Sequence, residues 1–273
     1  MNSLRARIWT KFALIAVIGA SASALYADNF QATYEPAGTQ TPNTTALCAG
    51  TSTCWIGMED FNTGSAPTTA TAFPTLVDTG APAGEISGSY SGGYIMDPAD
   101  QYGGAGGTGY YPELFASGGS YTLTLTASGG LPGVNYFGLW FSALDAGNDL
   151  KFYNNGTLLY DFTPALFQSL VGACPNSSNA FCGNPNNRTE DSGEQFAYLN
   201  FFDLTGYFNQ IVFTETGGGG FESDNHTVGY QDPPTLEGTD IGTVPEPGSF
   251  ILLSIGSLAL LGLMRRPALK AVK

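Results

Sequence analysis

A two-residue alternation is the feature that most constrains this chain. Ser120-Tyr121-Thr122-Leu123-Thr124-Leu125-Thr126 puts Tyr121, Leu123 and Leu125 on one side and hydroxyl residues on the other. That period belongs to a half-buried strand; a helix would scatter the three apolar side chains around its circumference. Asn135 to Phe141 is more continuously apolar, as expected of a strand covered on both faces. Leu150 to Tyr153 and Thr157 to Phe162 flank Asn154-Asn155-Gly156, and Asn-Gly suits a hairpin turn that needs positive φ. Phe196 to Phe202 and Phe208 to Thr214 read as two further strands. Ile56 to Phe61 and Asn225 to Tyr230 read as the first and last of the folded body, and Pro164 to Val171 as one short helix. At least seven short strands joined by glycine turns predict an all-β fold, an antiparallel β-sandwich or jelly roll.

The expected body spans residues 55–230. Residues 28–54 read as a loose segment, because the stretch from Asp28 to Thr45 is rich in Thr, Pro and Ala and has little to bury. Ser91 to Tyr111 contains Gly103-Gly104-Ala105-Gly106-Gly107 and reads as a long mobile loop, and Gly217 to Gly220 as a flexible connection. Residues 231–243, with Pro233-Pro234, read as a polar linker. No Lys-Ser or Lys-Thr follows the glycine runs, so they are not phosphate-binding loops.

Charge divides the chain sharply. All 23 acidic residues lie between Asp28 and Glu246, where Lys151 and Arg188 are the only two basic ones. A body with that surface repels nucleic acid and anionic lipid, and suits solubility or cation binding. The remaining basic residues belong to the two ends.

At the N-terminus, Arg5, Arg7 and Lys11 precede the apolar run Phe12 to Ala20 and the small residues Ser21-Ala22-Ser23-Ala24. This is the order of a secretory signal peptide over residues 1–27, with cleavage after Ala24 or after Ala27. At the other end, Val244-Pro245-Glu246-Pro247 precedes an apolar stretch, residues 248–264, that is marginally long enough to span a bilayer as a transmembrane helix. Arg265 and Arg266 follow at once and are expected to stay in the cytoplasm, leaving the body outside.

The order of Pro-Glu-Pro, apolar helix and arginines over residues 244–273 resembles the PEP-CTERM sorting signal. The resemblance implies that an exosortase, a membrane-embedded cysteine transpeptidase, reads Pro245, Glu246 and Pro247 and cleaves nearby. It also implies transient anchoring in the inner membrane with the body in the periplasm, then release to the cell surface or medium. Such bacteria make exported polysaccharide, so association with exopolysaccharide or biofilm is the expected role. Tyr136-Phe137-Gly138-Leu139-Trp140, the Asn-Gly hairpin, Tyr198-Leu199-Asn200-Phe201 and Phe221-Glu222-Ser223-Asp224-Asn225 resemble bodies common among PEP-CTERM proteins. Those bodies look like carbohydrate-binding-module or lectin-like sandwiches, which implies a fold and leaves any sugar-binding residues open.

Four cysteines in an exported chain suggest disulfides. Of three possible pairings the two local ones, Cys48–Cys54 and Cys174–Cys182, are expected; zinc is the alternative, without the short spacing it prefers. His226 is the single histidine and reads as a surface residue of a strand, so no Ser-His-Asp or Cys-His mechanism is expected, and no carboxylate pair stands out for glycoside hydrolysis. Calcium is the one ion whose oxygen-rich ligand set the chain offers. Asp145 and Asn148 lie on a tight turn, while Glu59, Asp224 and Asn225 lie on the first and last expected strands, where pairing would bring them together. The expectation is therefore a non-enzymatic surface protein without a cofactor beyond structural calcium. The alternatives are a purely adhesive protein without a small ligand and, least, a secreted glycoside hydrolase.

Overall fold

The structure is a computed structural model, and it describes residues 29–80, 84–115, 118–217 and 219–242. The expected signal peptide and the expected transmembrane helix and sorting residues from Val244 onward lie outside the described residues. In chain order the strands are β1 (Phe30–Tyr34), β2 (Thr53–Glu59), β3 (Thr71–Ala72), β4 (Thr75–Thr79), β5 (Ile86–Gly92), β6 (Ile95–Pro98), β7 (Tyr110–Phe115), β8 (Gly119–Ala127), β9 (Tyr136–Leu144), β10 (Asn148–Asn154), β11 (Thr157–Phe162), β12 (Gln195–Asp203), β13 (Gln210–Glu215), β14 (Gly220–Asp232) and β15 (Thr239–Asp240). The helices are α1 (Thr44–Leu47) and α2 (Pro164–Val171).

Two antiparallel sheets face each other, as the strand pattern predicts. The smaller runs β11-β10-β13-β8-β5-β3; the larger runs β15-β1-β12-β9-β14-β2-β4, with β7 and β6 continuing beside β14. Tyr121, Leu123 and Leu125 of β8 are buried on the inner face. They meet Phe137, Leu139 and Phe141 of β9, Phe213 of β13 and Phe221 of β14 in one core. Its aromatic pairs include Tyr121 stacked on Phe213, with centroids 4.2 Å apart. Burial of this many large rings is the dominant stabilising contribution to such a sandwich. The Asn-Gly hairpin forms between β10 and β11, with Asn155 at φ 48° and Gly156 at φ 81°, the positive angles that turn requires.

The larger sheet is covered on its other face as well. β9 and β12 are buried along their whole length, and β14 along all but its last residue. The cover is a layer of loops. Leu47 and the Cys48–Cys54 disulfide pack with Ile56, Tyr136 and Phe202, while Ala105 packs with Trp140, Phe196 and Tyr198. Trp140 is thereby buried under the outer layer, and Trp55 is buried in the main core.

Several segments expected to be loose are part of this structure. Residues 28–54 contain β1, which sits between β12 and β15 and buries Phe30 and Ala32. Residues 91–111 contain β6, paired with β7, and a turn over Ala105–Gly107 that lies on the outer face. Of the expected linker, residues 231–243, the described part is no free spacer either: β15 pairs with β1, and Ile241 is only 2% exposed. The physical reason is common to all three. These stretches attach through backbone pairing and amide hydrogen bonds, so few apolar side chains mark them. The body therefore extends beyond 55–230, and among the described residues β1 and β15, instead of Ile56–Phe61 and Asn225–Tyr230, are the first and last strands.

Candidate functional site

The middle of β14 organises the chemistry. Against β9, Asp224 pairs with Trp140 and Thr227 with Gly138, so β14 carries one extra residue between them. Asn225, at φ 51°, absorbs this bulge. Strict alternation would send Asn225 inward and His226 outward. The bulge reverses both.

His226 is accordingly sealed in the core, with no exposed surface, and the surface position expected for it is corrected. Its Nε2 lies 2.9 Å from the Ser223 hydroxyl and its Nδ1 lies 3.1 Å from the Tyr90 hydroxyl. The Tyr121 hydroxyl is 3.2 Å from Ser223 in turn. Phe213 stacks on the imidazole at 5.0 Å, and Phe61 meets it edge-on at 4.9 Å. Burial pushes its pKa down to about 3, so the ring is neutral. The Ser-His contact resembles half of a nucleophilic pair in composition, but both groups are enclosed between the sheets. Its chemical role is to satisfy polar groups inside an aromatic core.

On the outer side, Asp224 and Asn225 face the loop layer. Asp224 accepts hydrogen bonds from the Ala105 N–H at 2.7 Å and the Asn225 N–H at 2.6 Å. Asn225 donates from its amide to the Gln40 carbonyl at 2.7 Å, and the Gly106 N–H donates to the Gln40 side chain at 2.8 Å. Above these bonds opens a cleft of about 510 Å³, lined by Gln40, Thr41, Met58, Asp60, Asn62 and Asn225 among others. Its polar side chains are amides, hydroxyls and the Asp60 carboxylate, with Met58 and Ala105 among the apolar ones, and no lysine or arginine lines it. Phe61, between Asp60 and Asn62, also has positive φ, 52°, and its ring anchors the rim against His226 and Tyr90. Strained non-glycine residues thus flank the cleft on two sides.

Beneath it the Asp224 carboxyl is pushed up to about 7, by burial first, with the charges of Asp60 and Glu59 adding and the two backbone N–H bonds opposing. Glu59 is raised by burial, against a hydrogen bond from the Phe61 N–H. The pairing of β2 with β14 places Glu59 opposite His226 in register, so Glu59, Asp224 and Asn225 do come to one region. Asp145 and Asn148 do not join them. They form the β9–β10 turn, where Asn148 donates to Glu215 at 2.8 Å and to the Gly220 carbonyl at 2.5 Å. The Asp145 N–H in turn donates to Asn148 at 2.6 Å. The Asn148 side chain is thereby committed to protein partners. Glu222, pushed up to about 9 by burial and by Glu113, Glu194 and Asp145, belongs to this second acidic region. The five residues considered for calcium thus divide between two places, and among the described residues no group of three or more His, Cys, Asp or Glu side chains is arranged to hold a metal ion.

The cysteines pair as expected. Cys48–Cys54 ties the α1 loop to β2, and Cys174–Cys182 closes the loop after α2. Gln40, Thr41, Met58, Asn62, Ala105 and Gly106 are among the cleft residues that sequence reasoning missed. The only signal for Gln40, Thr41, Ala105 and Gly106 was the polar, glycine-rich composition that argued for mobility.

Fold and site together define a disulfide-bonded, acidic β-sandwich protein with an amide-lined cleft and no histidine within reach of solvent among the described residues. At residues 243–266 the chain carries a PEP-CTERM protein-sorting motif, which makes it an exported, exosortase-sorted surface protein. No curated protein matches the chain.

Proposed function

We propose that this protein is a non-enzymatic component of the cell-surface exopolysaccharide matrix, and that the cleft over Asn225 holds polysaccharide hydroxyls. The observation that carries the proposal is the cleft's lining. Asn62 presents donors and an acceptor, Asp60 presents acceptors, and Asn225 keeps its amide oxygen beside the N–H that holds the Gln40 carbonyl, which together complement vicinal hydroxyl groups. Absence of lysine and arginine from the lining favours a neutral sugar over an acidic one. The enclosure of His226 supports the non-enzymatic reading, because a substrate in the cleft has no path to the ring. In this account the body stands in the periplasm while the C-terminal segment is anchored in the inner membrane, and reaches the surface after processing.

The test is binding of the mature protein to matrix polysaccharide from its own host and to neutral glucans, with and without calcium. Asn225→Gly removes the cleft amide while tolerating the positive φ. Loss of one or two hydrogen bonds should weaken binding about tenfold. No binding by the wild-type protein, or equal binding by the variant, would overturn the assignment of the cleft.

A further inference from the structure

We propose that the segment ending in β15 is a strap that must leave β1 before the sorting motif can be processed. The β1–β15 contact then sets when and how fast exosortase acts on this chain. The inference rests on two positions. Ile241 is 2% exposed and its N–H donates to the Ala32 carbonyl at 3.0 Å. The sorting motif begins at residue 243. No free spacer therefore separates the body from its signal.

Reach decides the consequence. From Gly242, the last described residue, to Glu246 an extended chain spans at most about 14 Å. An enzyme that cleaves beside Pro-Glu-Pro has to hold several residues on each side in extended form. On its N-terminal side those residues include β15 and Ile241, which are engaged with the sheet. Cleavage of such a site follows the population of the opened form when opening and closing are fast.

The strap is built to open without unfolding the body. Its ladder is two residues long, Thr33 with Asp240 and Tyr34 with Thr239, and the β15 side chains are exposed. The Thr33 hydroxyl donates to the Glu237 carbonyl, but Oε2 of Glu237 is buried without a hydrogen-bond partner among the described residues. Burial and then the neighbouring Glu35 raise the Glu237 carboxyl to about 7, against a hydrogen bond with Asn43, so the strap holds a partly buried, half-ionised carboxyl at neutral pH. Once it leaves, β1 keeps its five-residue pairing with β12.

The test follows tail removal by pulse-chase of the full chain in its native host, with an epitope after Lys273. Thr33 and Asp240 are directly opposed, a spacing suited to a cross-strand disulfide. The double variant Thr33→Cys, Asp240→Cys should be processed at least about tenfold more slowly than wild type. A twelve-residue Gly-Ser insertion after Gly242 should restore the locked variant to wild-type rate. The same insertion in the unlocked chain should raise the rate about threefold or more, a readout that does not depend on the new disulfide. Wild-type processing of the locked chain, no effect of the insertion alone, or failure of the insertion to rescue the lock would each overturn the strap. An unprocessed wild-type chain would overturn sorting and strap together.

Discussion

Acidification should expose the cost of the sealed histidine. His226 has a folded-state pKa of about 3 against an ordinary 6.5. A depressed basic group stabilises the fold fully above the unfolded value, and this contribution is lost as pH falls from 6.5 towards 3. At about 1.4 kcal/mol for each pH unit the whole gap corresponds to about 5 kcal/mol, and between pH 6.5 and 4.5 the loss is about 3 kcal/mol. The buried carboxylates work in the opposite direction: Glu222, at about 9, favours the fold most at low pH. A single stability-pH curve therefore mixes the two. The clean measurement is the difference between wild type and His226→Gln, whose amide is polar but does not titrate. Urea unfolding followed by fluorescence of the buried Trp55 and Trp140 should give a constant difference from pH 7.5 to 8.5. Below pH 6 the wild type should lose ground by about 1.4 kcal/mol for each pH unit. A difference that stays flat from pH 8.5 to 4.5 would refute the reasoning, since it would mean that the ring is protonated equally in both states.

Other consequences are equally direct. Glu222→Gln should stabilise the protein by about 1–3 kcal/mol at pH 8.5 and leave it unchanged at pH 4.5, where the native carboxyl is already protonated; thermal unfolding at the two pH values decides it. Replacing Cys48 and Cys54 together by serine should cost about 2 kcal/mol in chemical unfolding, the loop entropy of a short closure, without changing the near-ultraviolet spectrum of the core. Gly57→Ala places a Cβ 2.6 Å from the Trp55 ring and 2.9 Å from Phe73, and should cost about 1–3 kcal/mol by overpacking, read from the shift of the urea midpoint.

How much of this was legible in the sequence depends on what holds each element. β8, β9, β12, the β10–β11 hairpin and α2 announce themselves, because apolar period and turn chemistry produce them directly. β1 and β15 do not, since their places come from backbone pairing with a distant partner, Phe30 to Tyr34 against Leu199 to Asp203 and Thr239–Asp240 against β1. The glycine-rich stretch around Ala105 is fixed in the same way, by an N–H bond to Asp224. The inward turn of His226 was hidden by the single extra residue at Asn225, which a period-two reading cannot register. Pairing of β2 with β14 did unite Glu59 with Asp224 as anticipated, whereas Asp145 and Asn148 were separated from them by the local hydrogen bonds of their own turn. Cysteine spacing was informative because a six- or eight-residue closure requires only a local loop.

The most direct test of the sorting account is the intact mass of the mature protein recovered from its native host. The account predicts a chain that ends close to Pro245–Pro247 and lacks the apolar stretch and Arg265-Arg266. It also predicts a mass four hydrogens short of the reduced chain, for the two disulfides. A mature protein that retains residues 248–273 would contradict it.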